Sequence, residues 1–396
     1  MEIYADNAAT TKMSKTAIEA MLPYMDEIYG NPSSLHSVGQ SANEAITSAR
    51  KRMADCLGCD ADEIIFTSGG SEADNQAIVS AARIGQNKDK KHIISTAFEH
   101  HAVLHTLEKL KKEGFEITLL DVHENGLVSA QQVSDAIRPD TCLVTVMYAN
   151  NEIGTIQPIE EIGAVCRDKG VLFHTDAVQA VGHVPINVRE QNIDMLSLSA
   201  HKFHGPKGVG ALYVKRGIRL TNLIEGGAQE RGRRAGTENI PAIMGMAAAL
   251  EEACAHMDKN GAAISALRDR LIAGLSEIPH GVLNGDAKHR LPGNVNFCFE
   301  GIEGESLLLL LDDKGVYASS GSACTSGSLD PSHVLLAIGR PHEIAHGSLR
   351  LTLSEETSTE EIDYMIQAVK DVVEYLRGMS PVWRDLVNGK NKFVTK

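Results

Sequence analysis

The chain has 396 residues, long enough for roughly two to three domains and a large core. With 38 basic and 52 acidic residues it carries a net charge of −14, which excludes nucleic acid or an anionic membrane as its main partner, since both reward positive charge. No apolar run reaches the roughly 20 residues of a membrane span, and the opening MEIYADNAATT lacks the basic and apolar regions of a signal peptide, so a cytoplasmic location is expected.

In chain order, residues 1 to 60 open with two turn-rich loops, DNAATT and GNPSSLHSVG, around an apolar helix near Thr16 to Met25. Strand-like runs follow at Ile64 to Thr67, His92 to Thr96, Ile117 to Asp121, Cys142 to Met147, Val171 to Thr175, Met195 to Ser199 and Val209 to Val214. Helical stretches lie between several of them, as where Val103, Leu104, Leu107 and Leu110 recur on one face. This alternation predicts a mostly parallel sheet of about seven strands, covered on both faces. After Gly236 long helices take over, Ile240 to Met257 and Ile264 to Ile278, and a smaller α+β unit follows. In it a strand near Asn294 to Phe299 turns Val295, Phe297 and Phe299 to one side. Another, Ser348 to Leu353, buries Leu349, Leu351 and Leu353 and leaves Arg350 on the opposite face. A last helix starts at the capping box Ser358 to Glu361. The expected domains are 15–255, and 1–14 together with 256–396. The tail holds the only tryptophan, Trp383, expected to pack on the body.

Seven cysteines, an odd number over a long chain, read as thiols and not as a disulfide framework. Cys56 and Cys59 form a CxxC with no second pair at zinc spacing, so no metal site is expected. Cys142, Cys166, Cys254 and Cys298 read as small hydrophobes in strands and helices. Cys324 differs, because YASSGSACTSGSLDPSHVL has the composition of a flexible loop.

In open α/β sheets the ligand crevice lies at the carboxyl ends of the strands. Asp176 closes one apolar run there, and the turn Ser199 to Lys202, followed by Gly205, Pro206 and Gly208, closes the next. An amine and an acid so placed suit pyridoxal phosphate, whose aldehyde takes a lysine and whose ring nitrogen faces a carboxylate. FTSGGSEADNQAI supplies a strand, a glycine turn and a helix start, at which Gly69, Gly70 and Ser71 can receive a phosphate; alone it is equally an ordinary helix start.

HTDAVQ followed by SLSAHKFHGPKGVGALYV, together with SSGSACTSGS, closely resembles the class V aminotransferase family and, within it, the group I cysteine desulfurases of the NifS/IscS type. The resemblance runs from DNAATT to the SPVW tail. It implies the fold type I architecture of pyridoxal-phosphate enzymes, with a large α/β domain and a smaller α+β domain. It implies phosphate contacts from Gly70, Ser71, Ser199, Ala200 and His201, and from Thr237 across a homodimer. His100 is implied to stack on the ring and shuttle protons, although His100 or His101 could equally just start a helix. Asn151 and Gln179 are implied near the ring oxygen, with Asn151 also near the substrate, and Asp176 at the ring nitrogen.

Lys202 is implied to hold the cofactor and move the Cα proton, Arg350 to grip the carboxylate of L-cysteine, and Cys324 to attack the substrate sulfur. Alanine and a Cys324 persulfide would result, the sulfur passing to an iron-sulfur scaffold or a sulfur carrier. The run Arg231, Arg233, Arg234 stays unassigned. The rivals are a sister aminotransferase or selenocysteine lyase with the same machinery and, outside enzymes, a metal-binding or iron-sulfur scaffold, which lacks clustered ligand spacing.

Overall fold

The structure is a computed structural model and describes residues 1–320 and 331–395. Its strands are β1 Ile3–Tyr4, β2 Ile64–Thr67, β3 His92–Thr96, β4 Glu116–Leu120, β5 Thr141–Thr145, β6 Leu172–Asp176, β7 Met195–Ser199, β8 Gly210–Val214, β9 Gly281–Leu283, β10 Asn294–Phe299, β11 Val316–Tyr317 and β12 Ser348–Thr352. Seven of them form one sheet in the order β2-β8-β7-β6-β5-β3-β4. Neighbours from β7 to β4 are parallel, and β8 runs against both β7 and β2. The expected mostly parallel seven-stranded sheet is therefore present.

Its sidedness follows from residue alternation. Ile64, Ile94, Val144 and Leu196 join a core on one face, while Ile65, Ile93, Leu143 and Met195 join a core on the other. Helices Gly70–Gln86 and His101–Lys112 cover the second face. Interior strands buried on both sides must be apolar throughout, which is why these segments read as continuous hydrophobic runs. The edge strand β4 is mostly exposed or half-buried, and its Glu116 pairs with Arg138.

The reversal at β8 positions the chemistry. Parallel neighbours need a long crossover, whereas antiparallel neighbours can be joined by a short turn. Residues 200–209 make that turn between β7 and β8, so Lys202 stays at the carboxyl end of β7, beside the ends of β2, β3, β5 and β6. Gly210 permits the close approach: a Cβ there would stand 2.5 Å from the Leu198 carbonyl oxygen.

A separate core gathers around the antiparallel sheet β12-β10-β9 and the parallel pair β1-β11, and includes Leu271, Leu275, Val295, Phe297, Leu349, Leu351, Ile362 and Val369. The final helix, Thr359–Met379, has its capping box: the Ser358 hydroxyl accepts from the Glu361 N–H and the Glu361 carboxylate from the Ser358 N–H, a device worth about 1 kcal/mol. Trp383 packs on this unit, with the Arg377 guanidinium 3.9 Å from its ring and His280 at its edge.

The two helices expected after Gly236 are instead one, Ile240–Ser276. It buries Ile240 to Leu250 in the sheet core and Leu271 and Leu275 in the small core. The apolar pattern pauses between them, but no proline interrupts it, and Gly261 alone costs a helix only about 1 kcal/mol. The solvated middle is a bridge between two cores and not a break. The boundary expected at residue 255 falls inside it.

Candidate active site

Asp176 ends β6 almost fully buried, and its Oδ1 accepts from the Val178 N–H at 2.9 Å. Burial raises its pKa, while His100 and Lys202 pull it down. A buried carboxylate in that position is suited to a cationic N–H partner. Lys202 projects from the adjacent turn, and its Nζ donates to the carbonyls of Ala8 at 2.5 Å and Ala9 at 2.8 Å. The backbone of the turn is pinned as well. His183 Nε2 bonds the Lys202 carbonyl at 2.8 Å, and Thr11 donates to the His201 carbonyl through N–H at 2.9 Å and hydroxyl at 3.0 Å.

His100 is the N-cap of the helix that begins at His101. Its Nδ1 accepts from the Ala102 N–H at 3.1 Å, so in the neutral ring the proton sits on Nε2. One ligating atom each from His100, Asp176 and Asp74 lie within 4.8 Å of one another.

Asp74 had no signature in the sequence. It sits on the first turns of helix Gly70–Gln86, fully buried, with an Oδ1 that has no hydrogen-bond partner among the described residues and lies 3.7 Å from His174 Nε2. Burial and then the Asp176 charge push its pKa well up. Glu99 is a second hidden acid: it accepts from the Thr96 hydroxyl at 2.6 Å and the Met147 N–H at 2.9 Å, and burial lifts its pKa to about 8. Asp176 thus lies in a pocket of carboxyl groups that resist ionising together.

The glycine turn stands at the carboxyl end of β2. Helix Gly70–Gln86 begins there with no side-chain cap from Gly69, Ser71 is exposed, and the Ser199 Oγ lies 3.7 Å from where a Cβ on Gly69 would stand. A Cβ on Gly70 would come within 2.5 Å of the Val178 side chain, which would have to shift to admit it. Ala200 is fully buried, and the His201 Nδ1 bonds the Thr10 hydroxyl at 3.1 Å.

From the small unit, Arg350 reaches in from β12, nearly fully buried on the face opposite Leu349 and Leu351. Its Nη2 donates to Asp6 at 2.8 Å and its Nη1 to the Asn151 carbonyl at 3.0 Å; its Nε has no partner among the described residues. Gln179 donates from Nε2 to the Ala8 carbonyl at 2.9 Å. Thr237 is exposed in the segment before the long helix. Cys324 lies outside the described residues. Among the other cysteines, burial pushes the thiols of Cys142 and Cys298 up to about 11 and those of Cys59 and Cys166 up to about 12.

These residues fit pyridoxal phosphate. A buried acid stands at one strand end and an amine beside it, and a glycine turn opens a helix N-terminus. On a mostly parallel sheet whose reversed strand carries the lysine turn, they define a fold type I pyridoxal-phosphate enzyme. The chain belongs to the class-V aminotransferase family, whose sequence model matches residues 3–365. It is 55% identical over 380 residues to a cysteine desulfurase IscS of Methanosarcina thermophila, covering 96% of this chain and 94% of that protein. A cysteine desulfurase IscS of Clostridium botulinum strain Hall is 53% identical over 394 residues, 99% of each chain. A solved NifS-like protein superposes with a TM-score of 0.89 at 37% identity, covering 95% of this chain and all of that one.

Proposed function

We propose that the chain is a pyridoxal-phosphate cysteine desulfurase that converts L-cysteine to L-alanine and retains the sulfur as a persulfide on Cys324. What carries the reading is that relatives more than half identical over nearly the whole chain are cysteine desulfurases, in a protein that pairs a buried Asp176 with Lys202 at neighbouring strand ends.

Bound here, the cofactor supplies an aldehyde that captures the substrate amine and a ring that accepts the electron pair released at Cα. The residues do the rest. Gly70, Ser71, Ser199, Ala200 and His201 would hold the phosphate, with Thr237 of a second copy, while Asp176 would keep the ring nitrogen protonated. Asn151 and Gln179 orient the ring. Arg350 grips the carboxylate of cysteine by charge-assisted hydrogen bonds. Lys202 would take the Cα proton, and His100, with its proton on Nε2, would relay protons to the substrate.

The Cys324 thiolate then attacks the substrate sulfur. The Cβ–S bond breaks with its electron pair left on carbon, the S–S bond forms, and protonation of carbon gives alanine. Buried thiols elsewhere keep their protons near neutral pH and make poor nucleophiles.

A homodimer is supported by apolar side chains left in solvent at Leu22, Met25, Tyr29 and Leu35, the last 93% exposed. No helix among the described residues is long and apolar enough to cross a membrane, and we place the enzyme in the cytoplasm, passing sulfur to an iron-sulfur scaffold or carrier. The purified holoenzyme should release one alanine per sulfur atom from L-cysteine and sediment as a dimer. Formation of an oxo acid in place of alanine would point to a sister aminotransferase, and a monomer with full activity would remove the shared site.

A further inference from the structure

Arg350 is a guanidinium with 2% of its side chain exposed, and such a charge persists in a protein interior only when it is paired. Among the described residues its one ion pair is with Asp6, Nη2 to Oδ1 at 2.8 Å, and its other contact is the Asn151 carbonyl on Nη1. Two points on the fork are thus fixed, and the buried Nε–H has no partner among the described residues. A carboxylate bound bidentately needs two parallel N–H groups of the same fork, so the side facing substrate is set by whatever holds the other side.

Asp6 is itself fixed. It forms a parallel bridge to Thr352, two residues beyond Arg350, and Asn7 and Ala8 donate to the Thr352 carbonyl at 2.8 Å and hydroxyl at 2.9 Å. The next residues are the ones whose carbonyls receive Lys202 Nζ and Gln179, and Thr11 clasps the His201 carbonyl. One short loop therefore ties the arginine on β12 to the lysine turn on the large sheet.

We propose that Asp6 is a positioning residue for substrate: it orients the Arg350 fork so that the enzyme selects amino acids by their α-carboxylate, and it keeps that fork in register with Lys202. This rests on the reading of Arg350 as the carboxylate anchor. Removing Asp6 leaves a buried guanidinium free to turn, so affinity for a carboxylate falls while affinity for the same compound without that charge does not.

The test is equilibrium binding of L-alanine and of L-alaninamide to the holoenzyme, followed by calorimetry. Asp6→Ala is expected to lower the preference for L-alanine over the amide by about tenfold, to raise KM for L-cysteine far more than it lowers kcat, and to leave cofactor content unchanged. Asp6→Asn, which keeps an acceptor oxygen at the same reach, should recover most of the preference. Asp6→Ser cannot span the contact and should behave as the alanine variant; it decides the matter if Asp6→Ala does not fold. An unchanged preference in the alanine or serine variant overturns the proposal while Arg350→Ala still abolishes the preference. If Arg350→Ala also leaves the preference intact, the anchor reading itself fails and takes this proposal with it.

Discussion

Asp176 and Lys202 were legible because their chemistry is local: each follows a short apolar run at a strand end, and the acid and amine are the two types the cofactor requires. Asp74, Glu99 and Asp6 were not. Asp74 is one polar residue in a helix whose inward face holds Gln76, Ala77 and Ile78 alongside it, and only the packed sheet shows that it points at Asp176. Asp6 sits in a polar turn that could as well face solvent, until β12 brings Arg350 to it. Borohydride should fix the cofactor to Lys202 in the wild type and to nothing in Lys202→Ala, whose turnover should fall about a thousandfold or more. A peptide map with the cofactor on another lysine would contradict it.

The strands of the large sheet were read well from sequence, since burial of its interior strands on both faces forces continuous apolar runs; the short strands Ile3–Tyr4, Gly281–Leu283 and Val316–Tyr317 were not placed, and the long helix was divided in two because its middle lies in solvent between two cores. The turn between β7 and β8 also contacts the segment just past β12. His204, two residues beyond Lys202, bonds Glu355 at 3.2 Å, just past β12. Burial alone would lower the His204 pKa, but the hydrogen bond and charge of Glu355 raise it above 6.5. Glu355 would be raised by burial, yet His204 brings it below 4.5. The histidine's contribution is fully present below pH 6.5 and is lost as pH rises through its raised value. The glutamate's is present above pH 4.5 and is lost as pH falls through its depressed value. Glu355→Gln should therefore lower the melting temperature more at pH about 6 than at pH about 9. Equal losses at both would show that the pair does not clasp the turn.

Over the whole molecule, the architecture followed from alternation of strands and helices, and the division of labour follows from the architecture. The large sheet holds the acid, the amine and the glycine turn, and the small unit brings Arg350 to the same crevice. Cys324 was legible only through its Ser- and Gly-rich setting and its resemblance to a family motif, and it lies outside the described residues. It is nonetheless the residue on which the proposed reaction turns, since Lys202 acts on Cα and only a thiol can take the sulfur. The deciding measurement is product analysis of Cys324→Ser holoenzyme with L-cysteine, scored for alanine and for persulfide by mass spectrometry of the intact chain. A hydroxyl is hardly ionised near neutral pH, so the variant should keep its cofactor and still bind cysteine. It should form no persulfide, and its alanine yield should fall by about a hundredfold or more. Near-normal alanine from Cys324→Ser would contradict the account and send the search for the nucleophile to another cysteine.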